Sequence, residues 1–202
     1  MNDYDRIARV YGPIKKLVFQ NRLARATSHH LDLIEKGEKI LILGGGSGEI
    51  LNLMPLNVDI TYLEKSKAMI HLARKYSRSY MTFVQQDFLQ YDESELFEWV
   101  VCPFFLDVFD LEHLKKVLEK IASLVSKEGK LIVIDFNSGN WFQNIFIRSM
   151  YLFFRITTNI QTKKLLDIHQ NVLDLGFEQN KKQLFSNGLI FSRIYSKRET
   201  FI

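Results

Sequence analysis

A strand that runs directly into a glycine-rich loop is the feature that most constrains the fold of this chain. Residues 39–49 read Lys-Ile-Leu-Ile-Leu-Gly-Gly-Gly-Ser-Gly-Glu. Four consecutive aliphatic residues are typical of a buried strand in a parallel sheet. Because Gly44, Gly46 and Gly48 lack a Cβ atom, the loop can adopt positive φ angles and let a ligand approach its backbone. The sequence therefore predicts an α/β sheet with a ligand-binding loop after this strand.

An acidic residue after the next apolar segment narrows the choice of ligand. Glu64 follows residues 58–63, and a carboxylate in this place can accept hydrogen bonds from both hydroxyls of a ribose. Glu49 occupies the position of the third glycine in the dinucleotide fingerprint Gly-x-Gly-x-x-Gly. An acid at the helix start would also repel a pyrophosphate. The pattern favours a nucleoside ligand without phosphates, and a dinucleotide-dependent oxidoreductase is the weaker alternative.

With these motifs the chain resembles the class I S-adenosylmethionine-dependent methyltransferases, over about Tyr4 to Lys197. Residues 4–11, Tyr-Asp-Arg-Ile-Ala-Arg-Val-Tyr, are similar to the start of the small-molecule branch that includes the quinone-biosynthesis methyltransferases. The resemblance implies S-adenosylmethionine as the cofactor and methyl transfer as the activity. One position departs from the family pattern: Ile42 stands where an Asp or Glu usually helps to organise the methionine end of the cofactor. A non-catalytic module that binds the cofactor is therefore a second interpretation.

The resemblance also assigns the cofactor-binding residues. Asp87 follows the third predicted strand, residues 80–85, where it could accept a hydrogen bond from the adenine amino group. Core packing is a slightly better interpretation of Met69 than adenine contact. The expected cofactor-binding residues are Gly44, Gly46, Gly48, Glu64, Lys65, Met69, Asp87 and Phe88.

The fourth and fifth predicted strands, residues 97–102 and 130–136, should end beside the methyl acceptor. Asp107 and Asp135 are the candidate catalytic proton acceptors. The alternative for Asp107 is a solvated carboxylate, and the alternative for Asp135 is a hydrogen-bonded structural acid. Family members that methylate amines or nucleic-acid bases often have a polar residue and two prolines after the fourth strand, but this chain has Cys102-Pro103-Phe104. We therefore expect O- or C-methylation of a small apolar, aromatic or lipid-like acceptor. The expected substrate-binding residues are Tyr11, Phe104, Phe105 and Trp141.

Residues 137–162 form a connection longer than is usual between a strand and a helix, which predicts a functional lid or insertion. The segment is rich in aromatic residues but too interrupted by charge to span a membrane. It could roof an apolar acceptor site or pack on the sheet edge. In a third interpretation residues 141–164 lie on a bilayer surface, with basic side chains towards lipid phosphates. Those side chains are Arg148, Arg155, Lys163 and Lys164.

Composition and the end of the chain complete the fold prediction. The chain has 202 residues, 47% of them hydrophobic, and a net charge of +4, which predicts one domain and does not demand nucleic acid. Cys102 is the only cysteine and the histidines are scattered, so we expect no disulfide, no metal and a cytoplasmic location. Residues 186–188, Ser-Asn-Gly, predict a hairpin. We predict a Rossmann-like, doubly wound α/β domain of seven strands, parallel except the last, with residues 1–36 as a helical cap.

Overall fold

A seven-stranded sheet forms the centre of the structure, a computed structural model that describes residues 22–92, 94–137 and 166–198. Its strands, in chain order, are β1 (Lys39–Leu43), β2 (Asp59–Glu64), β3 (Met81–Gln85), β4 (Phe97–Pro103), β5 (Val125–Phe136), β6 (Phe177–Phe185) and β7 (Ile190–Lys197). The α-helices of the described residues are α1 (Arg22–Ser28), α2 (Lys67–Ala73), α3 (Leu111–Leu124) and α4 (Ile168–Asp174). Short 3₁₀ helices connect several of these elements.

The strands lie in the order β3-β2-β1-β4-β5-β7-β6. Strands β1 to β5 pair in parallel, whereas β7 is antiparallel to both of its neighbours, β5 and β6. This confirms the predicted sheet, including the antiparallel last strand. The order reverses between β1 and β4, and open α/β sheets bind ligands at the carboxyl ends of the strands at such a point.

Both faces of the sheet are covered by apolar side chains, as expected for parallel strands. Successive residues of a strand point to opposite faces. Ile40 and Ile42 therefore join one buried cluster, whereas Leu41 and Leu43 join the other, and all four are fully buried. The rigid β1 strand fixes the start of the glycine loop between these two layers.

The helices begin where side-chain caps are available. Asp110 accepts a hydrogen bond of 2.9 Å from the backbone N–H of His113 and is thus the N-cap of α3. Helix α3 then buries one face against the sheet through Leu114, Val117 and Ile121. Ser66 caps α2 in the same way, by accepting from the N–H of Met69.

The strand β5 begins earlier than the sequence predicts. The predicted strand starts at Lys130, but in the structure the preceding helix ends at Leu124 and the strand starts at Val125. Val125 pairs with Phe97 of β4, and a Cβ atom on Gly129 would lie 2.8 Å from the carbonyl oxygen of Phe97. Tertiary pairing with β4 thus extends the strand through a segment whose local sequence is typical of a loop.

Some predictions concern residues outside the described ranges. Tyr11 and most of the predicted cap lie in residues 1–21, and Trp141 and nearly all of the predicted lid lie in residues 138–165. The predicted helix 163–175 is represented by α4. None of the helices within the described ranges is long and apolar enough to cross a membrane.

Candidate active site

The glycine loop adopts the backbone conformation that its sequence predicts. Gly44, Gly46 and Gly48 have φ angles of 66°, 63° and 85°. A Cβ atom on Gly44 would lie 2.5 Å from the ring of Phe105, and one on Gly48 would lie 2.7 Å from the Cα atom of Ala73. At Gly46 the same construction meets no atom of the described residues within 4 Å. The outer glycines are thus needed for packing, whereas the open side of Gly46 is where a ligand can approach the backbone.

Tyr62 of β2 anchors this loop by a hydrogen bond to its backbone. The residue is fully buried in β2, and its hydroxyl donates a hydrogen bond of 2.8 Å to the carbonyl oxygen of Gly46. Burial, followed by the nearby charges of Glu64 and Glu49, raises the pKa of Tyr62. The hydroxyl therefore stays protonated and remains a donor to the loop.

Glu64 ends β2 beside the loop and is partly exposed. Its Oε2 atom accepts a hydrogen bond of 3.2 Å from the N–H of Gly46, and Oε1 accepts one of 2.8 Å from the N–H of Ser66. These backbone donors fix the direction of the carboxylate. A carboxylate held in this direction at the end of β2 can accept hydrogen bonds from ligand hydroxyls.

Asp87 lies after β3 and forms an ion pair with Lys65, at 2.7 Å between Oδ2 and Nζ. Its Oδ1 atom accepts from the N–H of Leu89 at 3.0 Å. Burial alone would favour the protonated carboxyl, but the bonds from Lys65 and Leu89 outweigh it and lower the pKa of Asp87. Asp87 is therefore an ionised hydrogen-bond acceptor at the edge formed by the ends of β1, β2 and β3.

Two residues predicted near the adenine are largely enclosed by the core. Phe88 is 3% exposed and its ring contacts that of Phe105, with 6.0 Å between centroids. Met69 is 5% exposed, as its core-packing interpretation expects. Lys65 is instead exposed and held by its ion pair with Asp87. Direct contact of Phe88 and Met69 with a ligand stays a prediction, with little free side-chain surface to support it.

Asp107 and Asp135 come together after β4 and at the end of β5. Asp135 is completely buried and accepts three backbone N–H bonds, from Leu106 and Asp107 at 3.2 Å each and from Phe136 at 2.8 Å. Burial and then the charge of Asp107 raise the pKa of Asp135 well above its usual value. These two carboxyl groups, called the acidic pair below, are therefore close enough for the charge of Asp107 to favour the protonated form of Asp135.

The aromatic residues after β4 belong to different faces of the sheet. Phe104, with a φ of 54°, packs on Phe136 at 5.2 Å between centroids. Phe105 contacts Phe88 and Phe109 and closes against Gly44. Phe105 thus packs beside the glycine loop in one apolar cluster, whereas Phe104 belongs to the cluster on the opposite face.

Cys102 is a core thiol, as the sequence suggests. It is fully buried, and burial followed by the charge of Asp135 raises its pKa well above the usual value. A thiol in this state is a poor nucleophile and metal ligand. Within the described ranges, no three His, Cys, Asp or Glu side chains cluster closely enough to hold a metal ion.

The structure separates the site into two parts along one edge of the sheet. The glycine loop, Glu64 and Asp87 follow β1, β2 and β3, whereas Asp107 and Asp135 follow β4 and β5. Sequence reasoning missed Tyr62, because a tyrosine within an apolar strand is ordinarily a packing residue. It also missed the pairing of the two aspartates, which only the register of β4 and β5 brings together.

The fold is that of the class I S-adenosylmethionine-dependent methyltransferases. Residues 40–129, somewhat less than half of the chain, match the profile of a family described as a methyltransferase domain. No curated protein matches the sequence.

Solved structures of methyltransferases share this fold at low sequence identity. The N-methyltransferase NodS of Bradyrhizobium japonicum WM9, in complex with S-adenosylhomocysteine, is similar with a TM-score of 0.76 and 13% identity, over 98% of this chain and 100% of that one. Magnesium protoporphyrin IX methyltransferase of Synechocystis PCC 6803, also with S-adenosylhomocysteine, gives 0.68 and 21% over 95% and 92%. The 1,6-didemethyltoxoflavin-N1-methyltransferase of Burkholderia thailandensis gives 0.71 and 13% over 97% and 87%.

Proposed function

We propose that this protein transfers a methyl group from S-adenosylmethionine to a small apolar or aromatic acceptor, by O- or C-methylation. The observation that carries the proposal is the alignment of three features at adjacent strand ends: the open side of Gly46, the carboxylate of Glu64 and the ionised Asp87. An edge with two acceptor carboxylates suits a ligand that carries ribose hydroxyls, an amino group and a positive charge.

Each part of the edge would hold one part of the cofactor. The backbone at Gly46 would lie against its methionine end, Glu64 would accept from the ribose hydroxyls, and Asp87 from the adenine amino group. Bound S-adenosylmethionine supplies an electrophilic methyl group. The backbone donors to Glu64 and the ion pair of Asp87 already orient both acceptors, so little ordering is needed when a ligand binds.

Asp107 and Asp135 would act on the methyl acceptor. We assign Asp107 as the group that takes a proton from the acceptor, and Asp135 as the residue that positions it. Asp135 is too enclosed to reach an acceptor, but its two bonds to the N–H groups of Leu106 and Asp107 fix the loop that carries Asp107. The raised pKa of Asp135 favours its protonated form, which lessens its repulsion of a charge on Asp107.

The remaining contribution to catalysis would be the positioning of the two reactants in an apolar site. Attack on a sulfonium methyl needs little beyond alignment of the reactants and loss of one proton, so most of the acceleration can come from proximity. Phe105 lies beside Gly44 and Phe88, and it would form one apolar wall of the site. We expect Tyr11 and Trp141 to contribute further walls.

Transfer of labelled methyl groups from S-adenosylmethionine to a metabolite extract tests this function. The wild-type protein should label a small organic-soluble product. Asp107→Asn should lower kcat at least 10²-fold, on the order typical for loss of a general base, while S-adenosylhomocysteine affinity stays unchanged. Asp92→Asn, which removes an exposed carboxylate away from the pair, is the matched control and should keep wild-type kcat.

A non-catalytic module that binds the cofactor is the second candidate. Ile42 favours it, because this side chain is fully buried in an apolar cluster where the related enzymes usually have an acid. Cofactor binding without any labelled product would support this candidate over the enzyme. A dinucleotide-dependent oxidoreductase fits less well, since Glu49 stands exposed at the helix start and accepts a bond of 2.8 Å from Ser47.

The similar structures do not select the acceptor. Their names refer to chemically different molecules, from a porphyrin to a toxoflavin precursor. We propose a small-molecule acceptor for this chain because the segment after β4 is aromatic. Peripheral membrane contact through residues 141–164 also stays a proposal, and vesicle sedimentation with anionic and neutral lipids would test it.

A further inference from the structure

Arg193 is a buried cation that the site described above does not use. It lies in the middle of β7 and is 5% exposed, and among the described residues its Nε and Nη1 atoms have no hydrogen-bond partner. The guanidinium does hydrogen-bond to Tyr195 and lies over the ring of Phe191. Neither contact neutralises its charge, and a buried charge that is not paired with an opposite charge is costly. The arrangement indicates a position prepared for an anion.

The surroundings of Arg193 place it on the same side of the sheet as the acidic pair. Phe191 pairs with Asp135 and Arg193 pairs with Val133, so these side chains share one face near the carboxyl end of β5. The guanidinium carbon lies 4.6 Å from the centroid of the Phe191 ring. Arg193 therefore extends towards Phe191, the residue in register with Asp135.

Acidic residues close to Arg193 in the fold are engaged elsewhere. Asp135 accepts three backbone N–H bonds, and Asp167 caps α4 by accepting from the N–H of Gln170 at 3.1 Å. The sequence of residues 138–165, which connects β5 to α4, contains no Asp or Glu. That connection brings no carboxylate to Arg193, so the guanidinium can pair with the anion of a ligand.

We propose that Arg193 binds a carboxylate of the methyl acceptor, which is therefore an apolar or aromatic carboxylic acid. This inference rests on the proposed function and specifies its substrate class. A guanidinium is planar, so one of its faces can lie over an aromatic ring while its N–H groups donate to a carboxylate in the plane of the guanidinium. The contact would hold one end of the acceptor on the face of the sheet that carries Asp135.

Binding of simple anions tests the proposal without knowledge of the acceptor. The protein is saturated with S-adenosylhomocysteine, and benzoate, benzamide and inorganic phosphate are titrated while the Arg Nε–Hε resonances are followed by NMR. Benzoate should bind and shift the Arg193 resonance, and benzamide, its neutral analogue, should bind at least tenfold more weakly. Equal binding of benzoate and benzamide, or tighter binding of phosphate than of benzoate, would overturn the assignment.

Two variants distinguish a specific effect of the Arg193 guanidinium on benzoate binding from a general effect of positive charge. Arg193→Met should weaken benzoate binding at least tenfold. Lys182→Met removes a cation from the exposed position that pairs with Arg193 in β6 and should change it less than twofold. Wild-type benzoate affinity in Arg193→Met would contradict the proposal. If Arg193→Met does not fold, the comparison of benzoate with benzamide on the wild type still decides.

The pKa of His169 provides a second measurement, which a change in packing alone would not alter. Its Nδ1 atom lies 3.1 Å from the hydroxyl of Tyr195, and burial and then the charge of Arg193 lower the pKa of His169. A carboxylate bound to Arg193 should cancel part of this charge and raise the pKa in the wild type but not in Arg193→Met. An unchanged pKa at saturating benzoate would show that the anion binds elsewhere.

The controls also separate this inference from the proposed function. If S-adenosylhomocysteine binds and methyl transfer occurs but benzoate does not bind, only the assignment of Arg193 fails. If S-adenosylhomocysteine does not bind, the proposed function fails and this inference fails with it.

Discussion

At the scale of single residues, Tyr62 connects the core to the site. Its ring is buried in β2 and its hydroxyl holds the carbonyl of Gly46. Tyr62→Phe should lower the free energy of unfolding by about 0.5–1.5 kcal/mol, the usual net value of one hydrogen bond. Thermal unfolding should show a Tm a few degrees lower, and calorimetry a weaker S-adenosylhomocysteine affinity. Tyr80→Phe, at an exposed tyrosine, is the control; equal effects of both substitutions would contradict this role of Tyr62.

Asp135 predicts a pH dependence of stability. Because its pKa is raised in the folded state, the native protein holds a proton that the unfolded chain releases near the ordinary aspartate pKa of about 3.9. Between that pH and the raised pKa the folded state binds more protons, so this group's contribution to stability falls as pH rises.

Asp135→Asn removes the titration and keeps an oxygen that can accept backbone hydrogen bonds. The free energy of unfolding, measured in urea at several values from pH 5 to pH 8, should fall with pH less steeply in the variant than in the wild type. Parallel curves for the two proteins would show that Asp135 does not titrate differently on folding.

Residue roles that depend on distant partners could not be predicted. Asp107 and Asp135 were both recognised as acids at strand ends, but nothing in their local sequence shows that they share one buried site. Arg193 lies within β7, and only the structure shows that its guanidinium is enclosed with two nitrogen atoms that have no hydrogen-bond partner among the described residues. Sequence patterns report which face a residue occupies, and they do not report what lies opposite.

At the scale of elements, the glycine loop combines a structural and a binding requirement. A Cβ atom on Gly45 would lie 2.6 Å from the hydroxyl oxygen of Tyr62, whereas one on Gly46 would point into open space. Gly46→Ala should therefore fold, at a cost of about 1–2 kcal/mol for its positive φ, and lose at least tenfold in S-adenosylhomocysteine affinity. Gly45→Ala should be the less stable of the two. Wild-type affinity in folded Gly46→Ala would mean that this loop is only a turn.

Local patterns predicted elements well where one segment dictates its own conformation. Ser186, Asn187 and Gly188 all have positive φ, of 52°, 55° and 87°, which is the backbone that the Ser-Asn-Gly turn indicated. The predicted start of β5 was wrong because Val125 joins the sheet by pairing with Phe97, which the local sequence does not indicate. Where tertiary pairing determines the end of a helix or strand, the sequence of that segment alone does not predict it.

At the scale of the whole molecule, the strand order determines which residues can act together. Placing β1 between β2 and β4 puts the glycine loop beside both Glu64 and Phe105. The fold was predictable because the order of apolar strands, glycines and the final hairpin is typical of one architecture. The acceptor was not, because neighbours with the same fold have names that refer to different molecules.

Calorimetric titration tests the central claim, that this edge of the sheet binds S-adenosylmethionine, most directly. Wild-type protein should bind S-adenosylhomocysteine and bind NADH far more weakly. Glu64→Gln and Asp87→Asn should each weaken binding about tenfold or more, since a charge-assisted hydrogen bond contributes about 1.5–3 kcal/mol, and Glu119→Gln, at an exposed site on α3, should not. Tighter binding of NADH, or wild-type affinity in both folded variants, would contradict the account.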